Sequence, residues 1–120
     1  MIEKKISFCD AMLIGYSKGI FPMANNRNDD SIFWLRPEKR GIIPIGELHI
    51  SKSLRKFIKR TNLEITINNS FKTVLNNCCN RAETWINRQL TESYIELHKL
   101  KYAYSIEVWC DKQLIGGLFG

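Results

Sequence analysis

Tyr104-Ser105-Ile106-Glu107-Val108-Trp109-Cys110, a short Asp111-Lys112-Gln113 break and Leu114-Ile115-Gly116-Gly117-Leu118-Phe119-Gly120 make up the stretch whose reading decides the fold. The first run is β-branched and aromatic. Ile106, Val108 and Cys110 fall on one face and Ser105, Glu107 and Trp109 on the other, the period of a half-buried strand. Glu107 is expected to face outward. The polar break, with Asp at its head, predicts a chain reversal and hence a hairpin. Gly116-Gly117 inside the second run marks a bulge or the close approach of a ligand or another backbone. That run is still apolar at Gly120, so a further strand is expected beyond it to cover the sheet edge.

Working outward, Leu63-Glu64-Ile65-Thr66-Ile67-Asn68 alternates apolar and polar residues and runs into a helix cap at Ser70, after which Phe71, Val74, Leu75 and Cys78 mark one helix face. A polar break over residues 80–83 and then Thr84-Trp85-Ile86 precede a second helix, predicted over residues 91–101 with Tyr94, Ile95, Leu97, His98 and Leu100 as its ordered residues. The order from Leu63 onward is therefore strand, helix, helix, strand, strand.

Before it, residues 10–18 read as a helix capped by Ser7 or Asp10 and closed by Gly19, and Pro22 prevents it from resuming. Ile20-Phe21-Pro22-Met23 is an apolar segment that belongs either to the core or to the lip of a pocket. Ile32-Phe33-Trp34-Leu35 predicts a short strand, and residues 41–45 an extended piece that Pro44 confines to an edge or turn. Ser51 caps a helix reaching Arg60, with Leu54, Phe57 and Ile58 on one face. One joint, near residues 61 and 62, divides the chain into a small N-terminal domain, 1–61, and a second unit, 62–120.

The 120 residues, 44% of them hydrophobic, suffice for one ordinary core and exclude global disorder. No apolar run approaches the ~20 residues of a membrane span. The start, Met1-Ile2-Glu3-Lys4-Lys5-Ile6, lacks the apolar region of a secretory leader, so the expected location is cytoplasmic, with no membrane partner. Cys9, Cys78, Cys79 and Cys110 show no Cys-x-x-Cys spacing, and His49 and His98 lie far apart. Reduced thiols are expected, with no metal site and no cofactor.

The net charge of +6 is concentrated. Between Arg36 and Arg60 stand Arg36, Lys39, Arg40, Lys52, Arg55, Lys56, Lys59 and Arg60 against Glu38 and Glu47, and the rest of the chain balances to zero. A basic excess in one segment is the footprint of a polyanion-binding face, although Lys59 and Arg60 also suit the negative end of their own helix. Lys52, near the opposite end, gains nothing from that dipole. Trp34, Trp85 and Tyr94 are candidates for stacking a nucleobase. Neither a Gly-x-Ser-x-Gly elbow nor a phosphate-cradling Gly-x-x-x-x-Gly-Lys loop is present.

Blocks spread over nearly the whole chain from about Ser7 carry a resemblance. Leu13-Ile14-Gly15-Tyr16-Ser17-Lys18-Gly19-Ile20-Phe21-Pro22-Met23, Trp34-Leu35-Arg36-Pro37 with Arg40-Gly41-Ile42-Ile43-Pro44, and Leu48-His49-Ile50-Ser51-Lys52-Ser53-Leu54-Arg55 are followed by Thr84-Trp85-Ile86, Tyr94-Ile95-Glu96-Leu97-His98, Ser105-Ile106-Glu107-Val108-Trp109 and Gly116-Gly117-Leu118-Phe119-Gly120. Their order and spacing resemble leucyl/phenylalanyl-tRNA-protein transferases. The resemblance implies an α/β (α+β) fold: a small N-terminal α/β domain, then the first half of an acetyltransferase-like (GNAT-like) domain. It implies transfer of Leu or Phe from aminoacyl-tRNA to proteins with N-terminal Arg or Lys, marking them for degradation.

By the same resemblance Tyr16, Met23, Trp85 and Tyr94 would line the pocket for the terminal adenosine and its apolar amino acid, and Lys52, Lys56, Lys59 and Arg60 would meet tRNA phosphates. Met23 stands where some members carry Trp, and Trp34-Leu35-Arg36-Pro37 stands where the family has Trp-Trp-Ser-Pro. The family's candidates for deprotonating the amine and stabilising developing charge follow the position of Gly120, in a Gly-Glu-Ser-Met-Phe strand and an Asp-x-Gln element. No catalytic residue is nominated in this chain, which is expected to be the first half of such an enzyme, incomplete or inactive alone, a monomer or completed by a second polypeptide. The alternatives are a non-catalytic tRNA- or RNA-binding module and an unstable gene remnant.

Overall fold

In the computed structural model, residues 5–120 are described, so the leader-peptide reading at residues 1–4 lies outside them. The first helix, α1 (Phe8–Ser17), starts at a capping box: Asp10 N donates to Ser7 Oγ at 3.1 Å and Ser7 N to Asp10 Oδ2 at 3.4 Å. It ends with Gly19 at φ +72°, which lets Ile20 N reach Gly15 O at 2.8 Å and Gly19 N reach Tyr16 O at 3.1 Å. This is the left-handed closure a side chain would strain. β1 (Phe21–Ala24) then pairs antiparallel with β2 (Ile32–Leu35), Phe21 opposite Leu35 and Ala24 opposite Ile32.

The expected extended piece at residues 41–45 is irregular and exposed, joining no sheet. α2 (Lys52–Arg60) is capped by Ser51, whose Oγ accepts from Leu54 N at 3.2 Å. Next come β3 (Leu63–Ile67), α3 (Phe71–Cys79), α4 (Arg88–Lys99), β4 (Ser105–Cys110) and β5 (Gln113–Phe119), the strand-helix-helix-strand-strand order read from sequence. The last three strands form one antiparallel sheet in the order β3-β4-β5. The described residues form a mixed α/β fold with two small antiparallel sheets, consistent with a partial acyltransferase-like domain.

Several boundaries move, α1 starting at Phe8 rather than Asp10, and three of the shifts have a clear local reason. α4 starts at Arg88 rather than Thr91 because Asn87 caps it: Leu90 N donates to Asn87 Oδ1 at 2.9 Å, and Asn87 Nδ2 donates to Asp29 O at 2.9 Å. It ends at Lys99 because Lys101 turns left-handed, φ +66°, with Tyr102 N bonded to Leu97 O at 2.9 Å. Gln113 belongs to β5, opposite Cys110, which leaves a two-residue turn at Asp111 and Lys112. Both have positive φ, +46° and +66°, the mirror-image turn that matches strand twist. Ile115 is extra on β5: Val108 faces Gly116 while Trp109 faces Leu114. The bulge foreseen at the glycines therefore sits immediately before them.

The sheet corrects the reading of β4's faces. Ser105 and Glu107 are the buried side, with Glu107 fully inaccessible, whereas Ile106 lies on the open side. Thr66 Oγ1 and Ser105 Oγ donate to the Glu107 carboxylate at 2.7 and 2.6 Å, and the backbone N–H of Ser70 and of Asn69 at 2.9 and 3.4 Å. Burial raises its pKa, but these donors outweigh burial and hold the carboxyl below the ordinary range. Ser70 starts α3 without a side-chain cap. The Glu107 carboxylate instead holds the two N–H groups just ahead of the helix, those of Asn69 and Ser70. The core gathers Met12 of α1 and Ala24 of β1 with Phe71, Leu75, Ile86, Leu90, Tyr94, Leu97 and Ala103.

Candidate binding pocket

Tyr16 falls in the last turn of α1 and Tyr94 in the middle of α4, and α1 packs on α4. Their hydroxyls meet at 2.7 Å. Trp85 is held from the other side by its own carbonyl, which accepts from Ala24 N of β1 at 2.9 Å. These three rings line one cavity of about 370 Å³, completed by Leu13, Leu97, Tyr102, Ala103, Phe119 and Gly120. Tyr94 is buried and Tyr16 half exposed at the mouth. Phe119 meets Tyr94 edge to face at 5.3 Å and Phe71 at 6.1 Å, and Phe71 stacks on His98 at 4.1 Å. His98 Nδ1 bonds to Ala103 O at 2.8 Å, anchoring the turn that carries Tyr102 and Ala103.

Among the described residues the lining contains no carboxylate side chain, lysine, arginine, histidine or thiol. Its polar side-chain groups are the hydroxyls of Tyr16, Tyr94 and Tyr102 and the indole N–H of Trp85. Burial, and then the bond to Tyr16, push Tyr94 far above the ordinary phenol value, so it stays neutral. Such a lining suits apolar or planar groups, by burial and ring contact. Among the described residues no cluster of three or more His, Cys, Asp or Glu is placed to hold a metal, and all four cysteines are free thiols.

Of the four pocket residues read from sequence, the structure brings together Tyr16, Trp85 and Tyr94. Met23 is not among the lining residues; it is half-buried in β1 opposite Phe33. Trp34 packs on Phe8 at 5.8 Å and is likewise not among them. Leu13 and Leu97 were missed although each stands three residues from a nominated tyrosine on the same helix face, the spacing that reveals neighbours. Tyr102 and Phe119 gave no such signal, because turn and hairpin bring them in. A larger concavity, about 740 Å³, lies along α3 and α4 and is lined by polar residues such as Arg27, Asn76, Asn80 and Arg88.

Lys52, Lys56, Lys59 and Arg60 are all exposed on α2, a helix with no acidic residue, and among the described residues none of them pairs with a carboxylate. The apolar face of α2 is open as well: Leu54, Phe57 and Ile58 are each 47% exposed. Arg40 of the same basic segment has a structural partner, donating to Gly19 O at the end of α1.

Fold and pocket define a mixed α/β protein with an aromatic-walled cavity and an exposed basic helix. A family profile described as leucyl/phenylalanyl-tRNA protein transferase matches residues 42–120, and one described as the N-terminal domain of that transferase matches residues 9–38. The chain belongs to the leucyl/phenylalanyl-tRNA protein transferase family. Curated relatives of that name include one from Ruegeria pomeroyi, 47% identical over 111 residues, and one from Dinoroseobacter shibae, 44% identical over 111 residues. Each match covers 92% of this chain but 53% and 50% of the relative. A Zymomonas mobilis relative is 41% identical over 113 residues, 91% of this chain and 42% of its own length. The chain thus spans about half the length of the curated relatives it matches. Among the described residues no helix is long and apolar enough to cross a membrane.

Proposed function

We propose that this chain supplies the aminoacyl-tRNA-binding portion of a transferase that moves Leu or Phe from tRNA to a protein bearing N-terminal Arg or Lys. The observation that carries the reading is the convergence of Tyr16 of α1, Tyr94 of α4 and Trp85 of the loop between α3 and α4 on one apolar cavity. Its lining suits the side chain of Leu or Phe by burial and the adenine by ring contact. Lys52, Lys56, Lys59 and Arg60 hold phosphates of the acceptor stem, which positions the RNA without reading its sequence. The pocket has no group to deprotonate an attacking amine, so amine activation falls to polypeptide outside the matched half.

The test uses a non-hydrolysable leucyl-adenosine, followed by tryptophan emission, and Leu-tRNA over a range of salt. Saturable binding of the small ligand is expected, and Tyr94→Ala abolishes it. Changing Lys56, Lys59 and Arg60 together to Ala leaves the small ligand untouched, weakens tRNA binding and reduces the salt slope by about 2.7, roughly 0.9 for each lost phosphate contact. Parent-like tRNA affinity and slope in the triple variant would sink the assignment of α2, and failure of leucyl-adenosine to saturate would sink that of the pocket.

A further inference from the structure

The turn after α4 is tied down at each residue, yet one ring it carries is free. Lys101 N donates to His98 O at 3.0 Å, Tyr102 N and Ala103 N share Leu97 O at 2.9 and 3.2 Å, and Ala103 O bonds back to His98 Nδ1 at 2.8 Å. With Lys101 left-handed at φ +66°, these bonds fix the backbone of Tyr102 at the aromatic cavity. Its side chain is not fixed in the same way. Of the four tyrosines, Tyr16 and Tyr94 bond to each other and Tyr104 donates to Lys101 O at 2.7 Å, whereas among the described residues the Tyr102 hydroxyl has no partner. Nor, among those residues, does its ring pair with another, although Tyr94 and Phe119 of the same lining meet edge to face. Tyr102 is 61% exposed, while Leu97, Tyr94 and Ala103 in that lining are 3%, 4% and 4% exposed, so it stands at the rim of a buried floor. Neither burial nor a bond within the described chain calls for tyrosine here.

We propose that Tyr102 is a base-stacking residue, its ring covering one face of the adenine when an aminoacyl-adenosine occupies the cavity. The inference rests on the reading of the cavity as the aminoacyl-adenosine pocket and adds the residue that meets the base. The ligand divides as the lining does. An apolar amino-acid side chain gains most at the buried floor formed by Leu97 and Ala103, where it leaves water completely. A base has apolar faces but polar edges, so it is best placed where a ring covers its face and water still reaches its edge. Tyr102 offers that combination, an apolar ring at the cavity with its hydroxyl unbonded among the described residues. Tyr16, the other tyrosine of the lining with an open ring, 46% exposed, is held through its hydroxyl to Tyr94 and cannot follow a ligand without giving up that bond. In Tyr102 only two side-chain torsions remain to be ordered on binding, because the backbone is already set, which keeps the entropic cost of stacking small.

The test measures binding of non-hydrolysable leucyl-adenosine to the 120-residue chain, to Tyr102→Phe and to Tyr102→Leu, followed by tryptophan emission. Tyr102→Phe keeps the ring and is expected to bind as the parent does. Tyr102→Leu keeps the apolar bulk without an aromatic face and is expected to weaken binding about 10-fold, the usual yield of one base–aromatic stack, with the thermal midpoint unchanged. A second readout needs no variant: in the saturated parent, nuclear Overhauser contacts are expected between the Tyr102 ring protons and the adenine base protons, which a purely structural tyrosine would not give. Parent-like affinity in Tyr102→Leu, an equal loss in Tyr102→Phe, or a saturated complex without contact between Tyr102 and the base would each overturn this assignment and leave the pocket standing. A parent chain that leucyl-adenosine does not saturate overturns the pocket itself, and this assignment with it.

Discussion

Replacing Gly117 by alanine is expected to destabilise the chain by about 1–3 kcal/mol, the usual cost of forcing a methyl into a packed site. A Cβ built at this position falls 2.9 Å from both Cγ1 and Cγ2 of Val74, closer than carbon atoms pack, and 3.4 Å from Ile106 O. Val74 is itself buried in α3, and its branched side chain has one strongly preferred rotamer in a helix, so it cannot swing aside. α3 must shift or the strand must bend. Urea unfolding of Gly117→Ala, Val74→Ala and the double variant measures this directly. Val74→Ala removes two buried methyls and is destabilising alone, but the new methyl at 117 occupies part of the space vacated. The double variant should therefore be more stable than the sum of the singles by about 1 kcal/mol or more, the coupling expected of residues in contact. Gly116→Ala, one residue away, meets nothing closer than 3.8 Å and is the control, expected within about 0.5 kcal/mol of the parent. Additive singles, or a Gly117→Ala variant as stable as Gly116→Ala, would refute the steric account of how β5 lies on α3.

Glu107→Gln leaves two buried hydroxyls and two N–H groups facing a side chain that accepts less well, a loss of about 2 kcal/mol or more in denaturant titration. Because the folded carboxyl is held low, its contribution in the parent is present above the ordinary glutamate value, about 4.3, and is lost as pH falls below it; the Gln variant should lose that acid dependence. Tyr94 behaves oppositely: its raised pKa keeps it protonated in the folded chain, so stability falls as pH rises above about 10, where the unfolded chain sheds the proton. Absorbance at alkaline pH should show one of the four tyrosines titrating late, and Tyr94→Phe should remove that late phase. Lys101→Gly relieves a left-handed residue at the end of α4 and should raise stability by about 0.5–1 kcal/mol, read as an upward shift of the thermal midpoint.

The order of elements was legible because each carries its own punctuation: Ser7 and Ser51 as caps, Gly19 and Pro22 as a stop, alternation at residues 63–68 and 104–110. The hairpin was legible to within Gln113. What misled was polarity on β4. Period two identifies two faces but not which of them turns inward, and hydrophobicity pointed to Ile106 and Val108. A buried carboxylate wins that position only because four donors converge on it, Ser105 from its own strand and three from residues 66–70, and those three are absent from local pattern. The pocket was legible where family motifs carry aromatic rings, at Tyr16, Trp85 and Tyr94. Tyr102 and Phe119 were not, since a left-handed turn and a strand pairing deliver them. Met23 shows the converse: a motif residue whose strand pairing, opposite Phe33, does not bring it to the cavity.

Helices α1 and α3 differ in where their first turn finds its hydrogen-bond partners. α1 is capped by residues of its own sequence, Ser7 and Asp10, so that end is satisfied as soon as a dozen residues exist. The N–H of Ser70, the residue that leads into α3, is satisfied by Glu107, 37 residues further on, and only once β4 has paired with β3. During synthesis α1 is therefore free to form early, while α3 waits for a strand made well after it. An excised peptide spanning residues 70–80 should show little helix in water, and α3 in the intact chain should exchange its first amides together with the β3-β4 pairing rather than by independent fraying.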